Sequence, residues 1–223
     1  MFSQLHLSSD MNVLDIGCGG GKQLCCLAEK LTAKSKILGI DISKDVVDSA
    51  REKAKGFANV EVRQMNFEDS LSLLSGERFD LIISTYAIYY AADVEALLVG
   101  LRGLLNEGGC VFVVGPGAGT NSEIIDLANL YADKESDVLS YIEDFVSPET
   151  VDAIARSYSK VRVARLNNHI NFPDAASVML WWRSHNSFRP LLDTVVESDV
   201  EEVVFQQGDF RLSKPVLGVL FDA

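Results

Sequence analysis

Short apolar runs alternate along the first half of the chain with longer segments whose apolar residues recur every three or four positions. Runs of four to seven apolar residues are typical of parallel strands that are covered on both faces. The segments between them have the period of helices that bury one face. The predicted strands lie near residues 11–16, 36–41, 59–65, 79–84 and 109–115.

Helix-start residues support this alternation. A helix is expected over 23–31, a second after Ser43 and a third after Asp93, since both side chains are good N-caps. After residues 115–117 (GPG) the strict alternation stops. A mostly helical stretch runs to about residue 158, with Ser147 and Pro148 as N-cap and first helical residue.

The last third of the chain predicts one strand in VRVARLNNHI, a helix in DAASVMLWWRSH and a final strand in FRLSKPVLGVLFDA. Together with the first half, this gives an α/β fold with a doubly wound, mostly parallel seven-stranded sheet. No segment is rich enough in Pro, Gly or Ser to separate two domains. We therefore expect a single domain over 1–223, with helical cap insertions at 117–158 and 173–200.

Charge and cysteine usage narrow the function classes. The chain has 223 residues, 48% of them hydrophobic, and a net charge of −12, which repels nucleic acid. Its first dozen residues lack a signal peptide pattern and no run has transmembrane length, so a cytoplasmic protein without a membrane partner is expected. The adjacent Cys25 and Cys26 do not have metal-ligand spacing, so no metal is predicted. Composition leaves self-association into a homo-oligomer open.

The first strand leads into a glycine-rich loop in VLDIGCGGG, residues 13–21, and three loop chemistries compete for it. A nucleoside triphosphate loop is disfavoured, because Ile16 and Gln23 stand where it needs a glycine and a hydroxyl. A dinucleotide loop of the form GxGxxG requires a third glycine where this chain has Lys22, so a nicotinamide-dependent oxidoreductase is a weaker alternative.

The third chemistry matches every position. Asp15, Gly17, Gly19 and Gly21 form the pattern D-x-G-x-G-x-G, and Asp41 ends the second strand 26 residues after Asp15. The combination resembles the class I S-adenosylmethionine-dependent methyltransferases, whose fold is Rossmann-like. The resemblance implies that the loop wraps the methionine part of the cofactor and that the second acid binds both ribose hydroxyls. Its implied cofactor-binding residues here are Asp15, Gly17, Cys18, Gly19, Gly21, Asp41 and Ile42.

The resemblance continues after the third and fourth strands. Asn66 stands where the family usually has an acid for the adenine amine, and Phe67 is placed to pack on the adenine ring. Ser84 falls at the tip of the fourth strand, near the sulfonium. Two features depart from the family. About ten residues precede the first strand, so we expect the inserted helices or a second subunit to cover the cofactor, unless this chain is a fragment. Residues 84–87 also lack the motif of base-amine methyltransferases.

The resemblance implies methyl transfer to a small-molecule acceptor. Methyl transfer depends mainly on alignment, so the sequence need not show a general base, and none is assigned. Candidate acceptor-binding residues are Tyr86, Tyr89, His169, Trp182 and His185. Two alternatives stay open, namely a non-catalytic S-adenosylmethionine-binding subunit or sensor, and the nicotinamide-dependent oxidoreductase.

Overall fold

The apolar runs form strands of one sheet in the computed structural model, which describes residues 7–130, 140–184 and 210–223. The strands are β1 (Val13–Ile16), β2 (Ile37–Asp41), β3 (Val60–Gln64), β4 (Phe79–Thr85), β5 (Leu105–Pro116), β6 (Lys160–Leu166), β7 (His169–Phe172), β8 (Phe210–Ser213) and β9 (Val216–Asp222). The seven-stranded sheet has the order β3-β2-β1-β4-β5-β9-β6, and a separate two-stranded sheet pairs β7 with β8.

The predicted helices are present in order, and a further helix that the sequence did not predict, Phe67–Leu73, follows β3. Short 3-10 turns lie at Ile88–Tyr90 and Arg102–Leu104. Two predicted N-caps are confirmed by hydrogen bonds. Asp93 accepts from the Ala96 N–H at 2.8 Å, and the Ser147 hydroxyl accepts from the Thr150 N–H at 3.2 Å. The helices are α1 (Lys22–Ala28), α2 (Lys44–Ala54), α3 (Phe67–Leu73), α4 (Val94–Leu101), α5 (Ser122–Leu130), α6 (Pro148–Ala155) and α7 (Ala175–Ser184).

Parallel pairing brings the ends of three strands together. β1 pairs in parallel with β2 on one side and with β4 on the other, so that Asp15 lies beside Gly39 and Ile83. Parallel strands end at the same edge of a sheet. The glycine loop, Asp41 and the residues after Thr85 therefore lie at one edge, as the sequence predicts and as ligand sites of doubly wound sheets require.

A glycine in β2 lets α1 lie close to this sheet. A Cβ on Gly39 would stand 2.6 Å from Cδ1 of Leu24 and 2.9 Å from Sγ of Cys18. Real Cβ atoms do not approach other atoms so closely, so a larger residue at position 39 would require the Leu24 and Cys18 side chains to shift. Gly39 thus leaves room for these two side chains against the strand that carries Asp41.

Two sequence predictions near the end of the chain were wrong. Each of the two segments predicted as one strand forms two strands, which belong to different sheets. β6 and β9 join the main sheet, whereas β7 and β8 pair antiparallel with each other, His169 opposite Ser213. The second break has a clear cause, because Pro215 lacks an N–H and cannot donate to a continuous ladder.

Two compact units divide the chain. The first comprises Met1–Gly115, Phe145–Ala164 and Leu217–Ala223, and the second Pro116–Asp144 and Arg165–Val216. The core of the first unit includes Ile16, Leu98 and Phe221, and that of the second Ile125 and Trp182. Within the described ranges, no helix combines the length and apolarity that crossing a bilayer requires.

Candidate functional site

Three glycines of the loop have left-handed backbone conformations, with φ of 70° at Gly17, 53° at Gly19 and 78° at Gly21. A Cβ on Gly17 would stand 2.2 Å from Cβ of Ala87, and one on Gly21 would stand 3.0 Å from Cα of Ala50 in α2. Those two glycines permit close packing within the protein. A Cβ on Gly19 would meet no atom within 4 Å. Gly19 is therefore the position at which the loop backbone borders open space.

The Asp41 carboxylate is fixed by two backbone donors. Its Oδ2 accepts from the Gly19 N–H at 3.0 Å, and its Oδ1 accepts from the Ser43 N–H at 3.0 Å. Each carboxylate oxygen can accept a further hydrogen bond. The side chain of Ile42, the next residue, is 61% exposed. The end of β2 thus presents an oriented carboxylate beside an exposed apolar side chain.

Asp15 is buried without a partner. The residue is 1% exposed, and neither carboxylate oxygen has a hydrogen-bond partner among the described residues. Burial, and secondly the negative charge of Asp41, raise its pKa to about 7. Burial and the same two carboxylates raise the pKa of the neighbouring Cys18 thiol to about 12, so this cysteine is not a thiolate. A buried carboxylate of this kind calls for a cation or a hydrogen-bond donor from outside the protein.

Ser84 lies near the end of β4, and Asn66 and Phe67 follow β3. The Ser84 hydroxyl is buried and has no partner among the described residues. Asn66 caps α3, its Oδ1 accepting from the Phe67 N–H at 2.7 Å, which leaves one lone pair on that oxygen. Phe67 is 9% exposed and belongs to the core of the first unit; its ring lies 3.6 Å from the place of a Cβ on Gly17. The adenine-binding roles of Asn66 and Phe67 stay predictions.

Aromatic side chains follow β4. The backbone of Tyr86 is left-handed, with a φ of 56°, and its N–H donates to the Val114 carbonyl at 2.7 Å. Such strain costs about 1–3 kcal/mol and clusters at functional sites. The ring of Tyr89 lies 4.6 Å from that of Tyr90 and 6.2 Å from that of Phe145. Burial raises the pKa of Tyr86, and burial together with Tyr90 raises that of Tyr89 to about 12, so both hydroxyls are hydrogen-bond donors at neutral pH.

The other acceptor candidates that the structure describes belong to a different unit from this loop. His169 and Trp182 belong to the second unit. His169 is exposed, with Nδ1 2.7 Å from the Arg211 guanidinium, whereas Trp182 is fully buried in the core of that unit. His185 lies outside the described residues. The roles of these three residues in acceptor binding stay predictions.

A cavity of about 700 Å³ opens beside the glycine loop, and the sequence did not point to several residues that line it. Gln23 and Thr85 are hydrogen-bonded to each other, the Thr85 hydroxyl donating to Gln23 Oε1 at 2.9 Å. The only feature of the sequence that could have indicated Gln23 is its position as a polar residue in the first turn of α1, directly after the glycine loop. The lining residues are Leu7, Gly17, Cys18, Gly19, Gly20, Lys22, Gln23, Cys26, Leu27, Lys30, Lys53 and Thr85.

Comparison with known proteins agrees with this geometry. A family model described as a methyltransferase domain matches residues 7–167. The chain is 31% identical over 106 residues to aklanonic acid methyltransferase DauC of Streptomyces sp. (strain C5), a match that covers 47% of each chain. It is 32% identical over 104 residues to the ubiquinone biosynthesis O-methyltransferase of Mesorhizobium japonicum, covering 46% of this chain and 40% of that one.

Similarity of fold extends over the whole chain. The crystal structure of YcgJ from Bacillus subtilis superposes with a TM-score of 0.63 at 15% identity, covering 100% of this chain and 95% of that one. The chain therefore shares its architecture with a protein of nearly the same extent. In contrast, the matches to the two curated relatives span less than half of their lengths.

Proposed function

This chain belongs to the class I S-adenosylmethionine-dependent methyltransferases, and from that membership we propose that it transfers a methyl group from S-adenosylmethionine to a small molecule. A cytoplasmic location and self-association stay predictions from the sequence.

The observation that carries the proposal is the unpartnered carboxylate of Asp15 beneath a loop that borders open space at Gly19. S-adenosylmethionine has an ammonium group, which is the cation that Asp15 lacks. It also has two ribose hydroxyls, which can donate to the lone pairs that the backbone donors leave free on the two Asp41 oxygens. A pair of hydroxyls matches the two oxygens of a fixed carboxylate in fork geometry. The residues present therefore fit this cofactor: Asp15 would hold the ammonium end and Asp41 the ribose.

When bound, S-adenosylmethionine supplies a methyl group on a positively charged sulfur; the acceptor's electron pair forms the new bond and the sulfur keeps the electrons of the old one. The protein contributes alignment, worth up to about 7–11 kcal/mol in favourable cases. Tyr86 and Tyr89 are protonated at neutral pH, so they would orient an acceptor by donating hydrogen bonds and not by removing its proton.

The aromatic group after β4 supports an acceptor with a flat apolar ring. Tyr86, Tyr89, Tyr90 and Phe145 offer ring faces and hydroxyl donors but no charge. Aromatic rings bind other rings in stacked or edge-to-face geometry. The net charge of −12 opposes a nucleic-acid acceptor. We therefore propose a small aromatic acceptor carrying a hydroxyl or another nucleophilic atom.

Calorimetric titration with S-adenosylhomocysteine tests the cofactor site. Replacing Asp41 with Ala removes hydrogen bonds to a charged group, so the affinity should fall about 10- to 150-fold. Asp45→Ala is the matched control, since Asp45 is an exposed acid on the neighbouring helix turn, and it should bind as the wild type does. Equal affinities in the three proteins would refute the assignment of Asp41.

Turnover separates the enzyme from a non-catalytic binding protein. We expect transfer of isotope-labelled methyl from S-adenosylmethionine to at least one member of a panel of hydroxylated aromatic compounds. Binding of S-adenosylhomocysteine without transfer to any acceptor would favour a binding subunit or sensor. A thermal shift caused by NADH and not by S-adenosylhomocysteine would instead favour an oxidoreductase, because only a ligand of the native state stabilises it.

A further inference from the structure

The side-chain amide of Gln23 has a buried donor without an acceptor. Gln23 lies in the first turn of α1, and its Oε1 accepts from the Thr85 hydroxyl at 2.9 Å. Its Nε2 is fully buried and has no acceptor among the described residues. A buried donor left unpaired destabilises the folded protein. The cost is explained if a ligand provides the missing acceptor.

Thr85 places this amide beside the glycine loop. Asp15 lies opposite Ile83 in the parallel pairing of β1 and β4, and side chains two residues apart on a strand share a face. Thr85 is therefore on the same face of the sheet as Asp15, one step beyond the end of β1, where the loop begins. Since the single hydroxyl proton of Thr85 is donated to Oε1, the amide oxygen is engaged and the NH₂ group is left over.

Three lysines also line the cavity that Gln23 and Thr85 line. Lys22, Cys26 and Lys30 follow one another at every fourth position of the helical stretch, and Lys53 reaches the loop by donating to the Gly20 carbonyl at 2.9 Å. Among the described lining residues there is neither an Asp nor a Glu. On a chain with a net charge of −12, such a lining favours an anionic group.

We propose that Gln23, oriented by Thr85, binds the carboxylate of the methionine part of the cofactor through its Nε2. The inference rests on the proposed function. It divides the amino acid end of the cofactor between two buried groups that lack partners: the Asp15 carboxylate serves the ammonium, and the Gln23 amide serves the carboxylate. The lysines contribute the surrounding positive potential, but exposed flexible cations add little to such a contact.

A pair of ligands isolates this contact. S-adenosylhomocysteine has the amino acid end, whereas 5′-methylthioadenosine keeps the adenosine and the sulfur but lacks the carboxylate and the ammonium. Calorimetric titration of Gln23→Leu should show S-adenosylhomocysteine binding about 10- to 150-fold more weakly than to the wild type. Its affinity for 5′-methylthioadenosine should stay within about twofold, since that ligand does not reach the amide.

Two further variants keep the test independent of packing changes. Thr85→Val removes only the hydroxyl that orients the amide, and it should weaken S-adenosylhomocysteine selectively, while Thr85→Ser should restore the wild-type affinity. Gln23→Glu should show a larger selective loss than Gln23→Leu, because two carboxylates repel. Thermal unfolding without ligand checks that each variant is folded.

The outcomes distinguish this inference from the proposed function. Equal losses for both ligands, or no loss for either in Gln23→Leu and Thr85→Val, would overturn the role of Gln23 while leaving the cofactor assignment intact. A wild-type protein that binds neither ligand would instead refute the cofactor site itself.

Discussion

The two ends of the central strands have cavities of similar size, but they differ in whether the nearby polar groups have hydrogen-bond partners. At the amino ends, a cavity of about 650 Å³ is lined by residues whose polar groups pair with one another or with the adjacent Asp80. Asp80 accepts from the Asn12 N–H and from Asn106 Nδ2, each at 2.7 Å, and Arg63 bonds Glu61 at 2.6 Å and Glu77 at 2.7 Å. That end of the sheet is internally satisfied.

At the carboxyl ends, the cavity of about 700 Å³ lies beside buried groups that lack partners. Among the described residues, unpartnered buried side-chain atoms belong to Asp15, Gln23 and Ser84, and all three residues are at or next to this end. Cavity size therefore does not distinguish the two ends. The difference lies in the unpaired polar atoms, which cost stability in the free protein and can be offset by a ligand.

The sharpest test of this contrast exchanges the two aspartates for uncharged residues. Asp80→Ala should lower the free energy of unfolding by about 2–4 kcal/mol, because it leaves two donors without an acceptor. Asp15→Asn should raise the free energy of unfolding at pH 8, since it removes a buried charge that has no partner, while weakening S-adenosylhomocysteine. Urea denaturation and calorimetry measure both effects; destabilisation by Asp15→Asn would contradict the contrast.

Matched glycine substitutions test which end approaches a ligand. Gly19 and Gly108 both have a positive φ, 53° and 73°, and neither has an atom within 4 Å of the place of a Cβ. Alanine should therefore cost each about 1–2 kcal/mol of stability. Only Gly19→Ala should also weaken S-adenosylhomocysteine, by about 5- to 150-fold through overpacking. Equal affinities in the two variants would show that no ligand contacts Gly19.

The pH dependence of stability should come partly from the carboxyl end. The folded pKa of Asp15, about 7, exceeds its ordinary value of 3.8, so between these values the folded state binds more protons than the unfolded state. The free energy of unfolding should therefore fall as pH rises, by about 1 kcal/mol between pH 6 and pH 7, and level off above. In urea denaturation at a series of pH values, the free energy of unfolding of Asp15→Asn should not show this fall. An unchanged fall would show that another group causes it.

The smallest effect is expected at the amino-end cavity. Arg63→Gln removes two partly exposed ion pairs, and it should lower the free energy of unfolding by no more than about 1 kcal/mol. Its affinity for S-adenosylhomocysteine should equal that of the wild type in calorimetry. The unpaired atoms indicate that only the carboxyl end binds the ligand. A clear loss of affinity in Arg63→Gln would contradict this.

Local patterns in the sequence predicted the sheet and the loop. Buried parallel strands need continuous apolar runs. Asp15 comes just before the glycine loop, and Asp41 follows at the spacing expected for the end of the next strand. These features lie within short stretches of chain, so they can be recognised without knowledge of the fold. The family assignment follows from the same residues and is confirmed by the match over residues 7–167.

Pairings between distant segments could not be predicted from the sequence. Thr85 and Gln23 are 62 positions apart, and β7 and β8 belong to separate parts of the chain, so no period or spacing relates them. The sequence likewise suggested that Asp15 is important but not that its oxygens lack partners. Gly39 shows the same limit, because its role depends on where Leu24 and Cys18 pack.

The division of the chain into units has a consequence for engineering. The second unit consists of two separate stretches, Pro116–Asp144 and Arg165–Val216, so the polypeptide crosses between the units four times. A chimera that exchanges this unit with that of a relative needs four junctions, and a truncation at any single crossing divides the first unit. Changes to the second unit are therefore easier to introduce by point substitution than by transplanting a contiguous module.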